Sequence, residues 1–426
     1  MKFRIPRFFM WLWVKILFCP QWDQRTGEVI KTLNLKRMGE LIQYIANETD
    51  GKAFGSFKYG YDNDPQMRIP YEEQDLPITP KQYAESLKIP QTRDITALAQ
   101  QLGKYPPLFH YFLDGSRMVY KVDDIQYDKK VYPLVAGQIS VACCERIMKE
   151  NGMLFGAFQH VEEEAYSVLA LPNAANSKGI DSSVFFRNLC NKINESQQAK
   201  RKGLKIQKIL VYASSQQDVS FDKLATARIQ DEMVDCEKKI VASLISQHKL
   251  TPDSYLIKDG SLQYRTIKTG DFGELKKIRA NYQRVVGVSK MFNPNLMRNN
   301  KGQSIAAEIA NLPLFHRTPA IMWEPDPAFC EANFAIWYVR IRERDKTTTP
   351  YSGILKIEKM LMTGEEAERG LTTEEVDMIT ANIINERNPV CYGKDARWAN
   401  HLYPVYMTES YCKSKFKSEY YFLNIF

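Results

Sequence analysis

The chain has 426 residues, 44% of them hydrophobic, 12% aromatic and 25% charged, which makes it globular with a large core and excludes collagen-like, low-complexity and disordered classes. A net charge of +8 suits a polyanionic partner better than an acidic one. Eight cysteines stand at 19, 143, 144, 190, 236, 330, 391 and 412, with no C-x-x-C pair; neither a zinc site nor a disulfide framework is expected, and the expected setting is reducing and cytoplasmic.

In chain order, residues 1–30 open with MKFRIPRFFMWLWVKILFCP, a basic and apolar leader. Lys15 interrupts it, no small-residue cleavage site follows, and it is too short to span a bilayer. An amphipathic leader is expected rather than a membrane anchor. Residues 31–100 mix a predicted helix, LKRMGELIQYIANE, with Pro- and Gly-containing polar stretches, as in an N-terminal arm or small helical subdomain. Residues 101–426 read as one domain. LFHYFLDGSRMVYKV, VYPLVAGQISVACCE and MLFGAFQHVEEEAYSVLAL form a β-like meander. A helix is predicted near 182–200, a strand at IQKILVYAS and a long helix at about 220–247. SYLIKDGSL, RVVGVSKMF, FAIWYVRIRE and SGILKIEKML follow as strands, then a helix in TTEEVDMITANIINE.

An antiparallel meander followed by alternating helices and strands is an α/β order. It predicts a ribonuclease H-like mixed sheet flanked by helices.

Two strands run into the same tripeptide, Asp114-Gly115-Ser116 and Asp259-Gly260-Ser261. Asp-Gly is a strong hairpin signal, and a turn between FHYFL and RMVYKV is one reading of the first. The second weighs against that reading, because YLIKDGSL follows a long helix, where a parallel central strand belongs. An acid at the end of such a strand is costly to desolvate unless a cation or hydrogen-bond partner offsets it. Metal-dependent phosphodiester hydrolysis supplies that cation, bound by carboxylates from several strands.

LDGSR, KDGSL, RVVGVSK and a closing NPVCYGKDARWANHLYPVYMTE occur in the order and approximate spacing of NurA-type nucleases, and the chain resembles that family over roughly residues 100–415. The resemblance implies Asp114 and Asp259 as ligands of Mn²⁺ or Mg²⁺, and Lys290 as a point charge near the scissile phosphate. It also implies a glutamate on the helix before the second corner. The apolar stripe of that helix runs through Ala225, Ile229, Met233, Cys236, Ile240 and Leu244, with Asp231 pointing away. Glu232 and Glu237 flank the stripe on opposite edges, so either reaches a site beside the sheet; the preceding Ala-Arg context favours Glu232. For the last ligand, the family's Ala-His pair reads Ala396-Arg397 here, with Asp395 before it and His401 after it. Asp395 suits a hard metal and ranks first, His401 a softer one and ranks second.

Three basic stretches suggest a nucleic-acid path: AKRKGLKIQK with Lys200, Arg201 and Lys202, KKIRANYQR with Arg284, and YCKSKFKSEYYF with Lys413 and Lys415 among aromatics. Phosphates take the charge and unstacked bases take the rings. The resemblance further implies DNA as substrate, a homodimer, and a HerA-type hexameric ATPase as partner, in DNA repair or phage defence. No P-loop motif occurs, so a motor in this chain is not expected. Two other readings stay open: a NurA-like scaffold that binds without cutting, and an unrelated α/β protein whose Asp-Gly-Ser corners are turns.

Overall fold

The computed structural model describes residues 39–61, 82–87, 92–148, 154–177, 179–214, 220–262, 281–299, 301–324, 333–391 and 397–426. The leader, the start of the first predicted helix and Asp395 lie outside them. Helix α1 (Glu40–Glu48) is followed by short strands β1 (Lys52–Ala53), β2 (Tyr59–Gly60), β3 (Gln82–Tyr83) and β4 (Arg93–Asp94), then α2 (Thr96–Leu102). Three 19-residue strands come next, β5 (Phe109–Tyr127), β6 (Lys130–Met148) and β7 (Leu154–Pro172). Then come α3 (Ser182–Glu195), α4 (Gln197–Arg201), β8 (Ile206–Tyr212) and the long helix α5 (Phe221–Ser246). Strands β9 (Tyr255–Asp259) and β10 (Val285–Ser289) precede α6 (Ala306–Ala310), β11 (His316–Arg317), β12 (Ile321–Trp323), β13 (Asn333–Arg340) and β14 (Ile354–Leu361). Helices α7 (Gly364–Arg369), α8 (Thr373–Asn385), α9 (Tyr403–Ser414) and α10 (Glu419–Leu423) follow.

One sheet runs β3-β12-β13-β14-β10-β9-β5-β6-β7-β8. The meander β5-β6-β7 is antiparallel, β9 runs parallel to β5, and β10 runs parallel to β9. A parallel return needs a long crossover, and α5 lies within the one between β8 and β9. This is the mixed sheet flanked by helices that the sequence predicts. The first Asp-Gly-Ser is not a turn. Strand β5 passes straight through it, with Asp114 opposite Ala142 and Gly115 opposite Val141 on β6. The hairpin comes after Tyr127, where Asp128 takes a φ of 51°.

Side-chain alternation divides the interior into two cores. Phe112, Ile257, Val286 and Val288 pack with Val376 and Ile379 of α8 and Val405 of α9. Leu113, Val119 and Leu256 pack on the other face with Ala225, Ile229 and Met233 of α5. The predicted stripe of α5, from Ala225 to Leu244, is buried throughout. With both faces covered, β6 is buried over most of its length, which its run of apolar residues permits.

The described parts of the arm join the same sheet. Strands β1 and β2 pair with β5, while β3 and β4 pair with β12 and β11. Fully buried Arg317 donates to Glu85 at 3.0 and 2.7 Å and to Asp377 at 2.7 Å, fastening the segment after β3 to α8. Among the described residues, no helix is long and apolar enough to cross a membrane.

Candidate metal centre

The parallel ladder of β5 and β9 runs up to Leu113 and Lys258, which leaves Asp114 and Asp259 side by side at its end. Alternation puts both on the face of Phe112 and Ile257, toward α8 and α9. Val288 of β10 pairs with Asp259, so Lys290, two residues on, emerges beside it on the same face. Glu409 comes from α9. That helix is pinned to β5 by Cys412, whose thiol donates to Asp114 O at 3.4 Å, and by Thr408, whose hydroxyl reaches Phe112 O at 3.5 Å. One carboxylate oxygen from each of Asp114, Asp259 and Glu409 lies within 4.8 Å of the other two.

Lys290 Nζ stands 2.8 Å from Asp259 Oδ2 and 2.7 Å from Glu409 Oε2. Half-exposed Lys413 donates to Glu409 Oε1 at 2.6 Å from the rim. Burial, and then the charge of Asp259, push the Asp114 carboxyl well above its ordinary range, with Lys290 opposing. Burial acts the same way on Glu409, but Lys290 and Lys413 outweigh it and hold that carboxyl at about 2. For Lys290 burial favours the neutral amine, yet Asp259, Glu409 and Asp114 raise its pKa above the ordinary lysine value. Three carboxylates therefore surround one buried ammonium. They are hard oxygen donors of the kind Mg²⁺ and Mn²⁺ prefer. Opposite ligands of an octahedral Mg²⁺ stand about 4.2 Å apart, and three oxygens that all lie within 4.8 Å of one another are near enough to share one ion.

The two corners are built differently. At the second, Gly260 has a φ of 82°, which favours glycine, and its N–H donates to Val288 O at 2.9 Å. Buried Glu358 accepts from Ser261 Oγ at 2.8 Å and from Leu262 N at 2.9 Å, clamping the corner from β14. A Cβ on Gly287 would stand 2.7 Å from Leu262 Cγ, so the glycine in RVVGVSK makes room for this corner. At the first, Gly115 serves close approach: its Cβ would stand 2.6 Å from Glu237 Oε1 on α5.

Of the residues expected from the sequence, Asp114, Asp259 and Lys290 meet. Glu232 is not brought to them; Lys208 at 2.6 Å and the Tyr166 hydroxyl at 3.0 Å hold its carboxylate over β7 and β8. Glu237 lies closer, but on the opposite face, where its carboxylate is 3.1 Å from Lys258 Nζ. Burial raises the Glu237 carboxyl pKa, with Lys258 opposing. His401 is buried beside the cluster, its Nδ1 3.9 Å from Glu409 Oε2. Asp395 lies outside the described residues. Glu409 was not singled out by the sequence, although it sits in a buried stripe with Val405, Thr408 and Cys412. An acid inside such a stripe is the signal that points to it.

The basic candidates separate. Lys413 is at the cluster. Lys415 pairs with Glu163 at 3.1 Å and covers the Tyr411 ring at 4.3 Å. Lys200 and Arg201 are exposed on α4, while Lys202 Nζ donates to the carbonyls of Asn424 and Ile425. Arg284 precedes β10, at the end opposite Lys290, and lines a groove of about 480 Å³ with Tyr255 and Lys359.

No family model matches the chain, and no curated protein matches it. Among solved structures it is similar to the NurA nuclease from Sulfolobus solfataricus, at 12% identity over 75% of this chain and 86% of that one, with a TM-score of 0.34. A likeness at that level fixes neither fold nor function.

Proposed function

We propose that the chain is a metal-dependent deoxyribonuclease, a phosphodiester hydrolase that takes Mn²⁺ or Mg²⁺ on Asp114, Asp259 and Glu409. The observation that carries this reading is the gathering of three carboxylates on one sheet face around a single buried ammonium. Burial and Asp259 disfavour the ionised form of Asp114, and a divalent cation between the three carboxyl groups would favour it. A divalent cation bound there supplies Lewis-acid polarisation of a phosphate oxygen and a lowered pKa for its bound water.

The chain's own groups divide the remaining work. Asp114 and Asp259, fixed on adjacent strands, set the position of the reacting phosphate relative to the sheet. Lys290, once released from one of its carboxylates, offers its ammonium to a phosphate oxygen. Lys413 guards the open side of Glu409 and meets an incoming polyanion first. The motif order of the sequence supports DNA as that polyanion, cut as a single strand or from an end. It also supports a homodimer served by a HerA-type ATPase in DNA repair or phage defence, in a cytoplasmic setting.

The test is cleavage of single-stranded and duplex DNA by purified protein with Mn²⁺ or Mg²⁺, with and without EDTA. Metal-dependent cutting that EDTA stops supports the reading; undiminished cutting in EDTA removes it. One observation favours a second reading, the non-cutting scaffold: Lys290 already bridges Asp259 and Glu409, as a substitute for a metal would. That reading expects DNA binding with no cutting in any divalent metal.

A further inference from the structure

The C-terminal segment runs along β5 away from the carboxylates, on their face of the sheet. Cys412 is anchored at Asp114 O. Lys417 N donates to Gln138 Oε1 at 2.8 Å, and Gln138 Nε2 returns a bond to Lys417 O at 3.0 Å. Phe422 then packs on Tyr120, ring centroids 5.0 Å apart. From Asp114 to Tyr120 the strand advances about 20 Å, the length of about six stacked nucleotides. The outer side of this segment carries aromatic rings and ammonium groups together. Tyr420 is 82% exposed and Tyr421 50%, and Lys417 Nζ lies 5.6 Å from the Tyr421 ring centre. The Tyr421 hydroxyl reaches Lys202 O at 3.4 Å. Lys58, between β1 and β2, has its pKa lowered by burial and then by the charge of Lys202, with Asp123 opposing. Thus a basic run at Lys202 and a basic-aromatic run at Lys417 to Tyr421, far apart in sequence, converge here, with Lys58 of the arm near them.

We propose that this surface, from Lys413 through Tyr420 and Tyr421 to Lys202 and Lys58, is a track for single-stranded nucleic acid that leads from the carboxylate cluster. Its direction rests on the nuclease reading; its binding does not. Lys413 and Lys417 set ammonium groups along the segment and Lys202 adds one at its far end, and exposed rings beside lysines offer stacking to unpaired bases rather than to a duplex whose bases are covered. Exposed aromatics alone would equally suit a protein partner. The converging lysines favour the nucleic acid.

The experiment is fluorescence anisotropy of the full chain in EDTA, with labelled oligothymidylate of about 12 nucleotides, about twice the track length, and a duplex of equal length. Tyr420→Ala/Tyr421→Ala should weaken oligothymidylate binding at least about fivefold and leave duplex binding unchanged. Lys58→Ala should lower the salt slope for the single strand by about 0.7. Phe57→Ala should change nothing: Phe57 is 84% exposed but stacks on Tyr59, which lies beside Tyr61 near the start of α5. Since both tyrosines are exposed, the double variant should keep its melting temperature and oligomeric state. Unchanged single-strand affinity overturns the proposal, as does an equal loss from Phe57→Ala, an equal loss on duplex, or a change in oligomeric state alone. Binding is read in EDTA, apart from metal-dependent cutting, so failed cleavage and failed binding are read apart.

Discussion

Lys290 Nζ lies 2.8 Å from Asp259 Oδ2, and the same ammonium reaches Glu409 at 2.7 Å. The lysine thus occupies oxygens that a divalent cation would need, and the two cations compete. Lys290→Met should therefore bind Mn²⁺ at least about tenfold more tightly than wild type, since about 1.4 kcal/mol of lost competition suffices. Without metal it should be destabilised by roughly 3–5 kcal/mol, the usual result of removing one partner from a buried ion pair. Calorimetric titration with Mn²⁺ and thermal melting in EDTA read the two effects. Weaker Mn²⁺ binding in the variant would show that the ammonium and the metal do not share these oxygens.

Asp114 and Asp259 differ in what their loss should do to stability. Asp114 is buried beside a like charge, so Asp114→Asn relieves repulsion and should keep or raise the melting temperature in EDTA. Asp259→Asn removes a partner of Lys290 and should lower it. Both should cut DNA more than about a hundredfold more slowly than wild type, because metal-held charge stabilisation amounts to several kcal/mol. Wild-type rates in either variant would remove that residue from the site.

Glu409 sets a pH dependence. Its folded carboxyl is held at about 2, below the ordinary 4.5, so on acidification the unfolded chain takes up the proton first. The stability it contributes is present above about 4.5 and is lost as pH falls toward about 2. The melting-temperature gap between wild type and Glu409→Gln, measured in EDTA, should be widest near neutrality and close across that acid window. A gap independent of pH would show that charge is not the source.

Gly115→Ala should destabilise by about 1–3 kcal/mol, because the new Cβ meets Glu237 Oε1 at 2.6 Å and forces α5 away from β5. Glu232→Gln should cut DNA at close to the wild-type rate, since its carboxylate is engaged by Lys208 and Tyr166. Rate measurements on the second variant and denaturant melts on the first check the pair. Loss of cutting in Glu232→Gln would return that residue to the site.

The meander, the long helix and the later strands were legible because hydrophobic period and strand length are written locally. Asp114 and Asp259 were legible for a different reason: an acid at the end of an apolar run of residues is an energetic anomaly wherever it occurs. Whether the first Asp-Gly turned or ran straight was not legible, because Gly115 answers to the approach of Glu237, a residue more than a hundred positions away. The choice between Glu232 and Glu237 was equally closed to a helical wheel. Both are buried, and only the partners, Lys208 for one and Lys258 for the other, set them apart. Glu409 stayed hidden because the family-like motif drew attention to Asp395 and His401, eight or more positions earlier. The convergence of Lys58, Lys202 and Tyr421 is tertiary throughout.

The central claim is that Asp114, Asp259 and Glu409 together hold a divalent cation. The most direct measurement is the manganese anomalous difference map of a crystal soaked in Mn²⁺. A peak within ligand distance of all three carboxylates, with Lys290 Nζ moved off at least one of them, is the predicted result. A map with Lys290 still bridging Asp259 and Glu409 and no manganese among the three, from protein that cuts DNA in Mn²⁺, would contradict it.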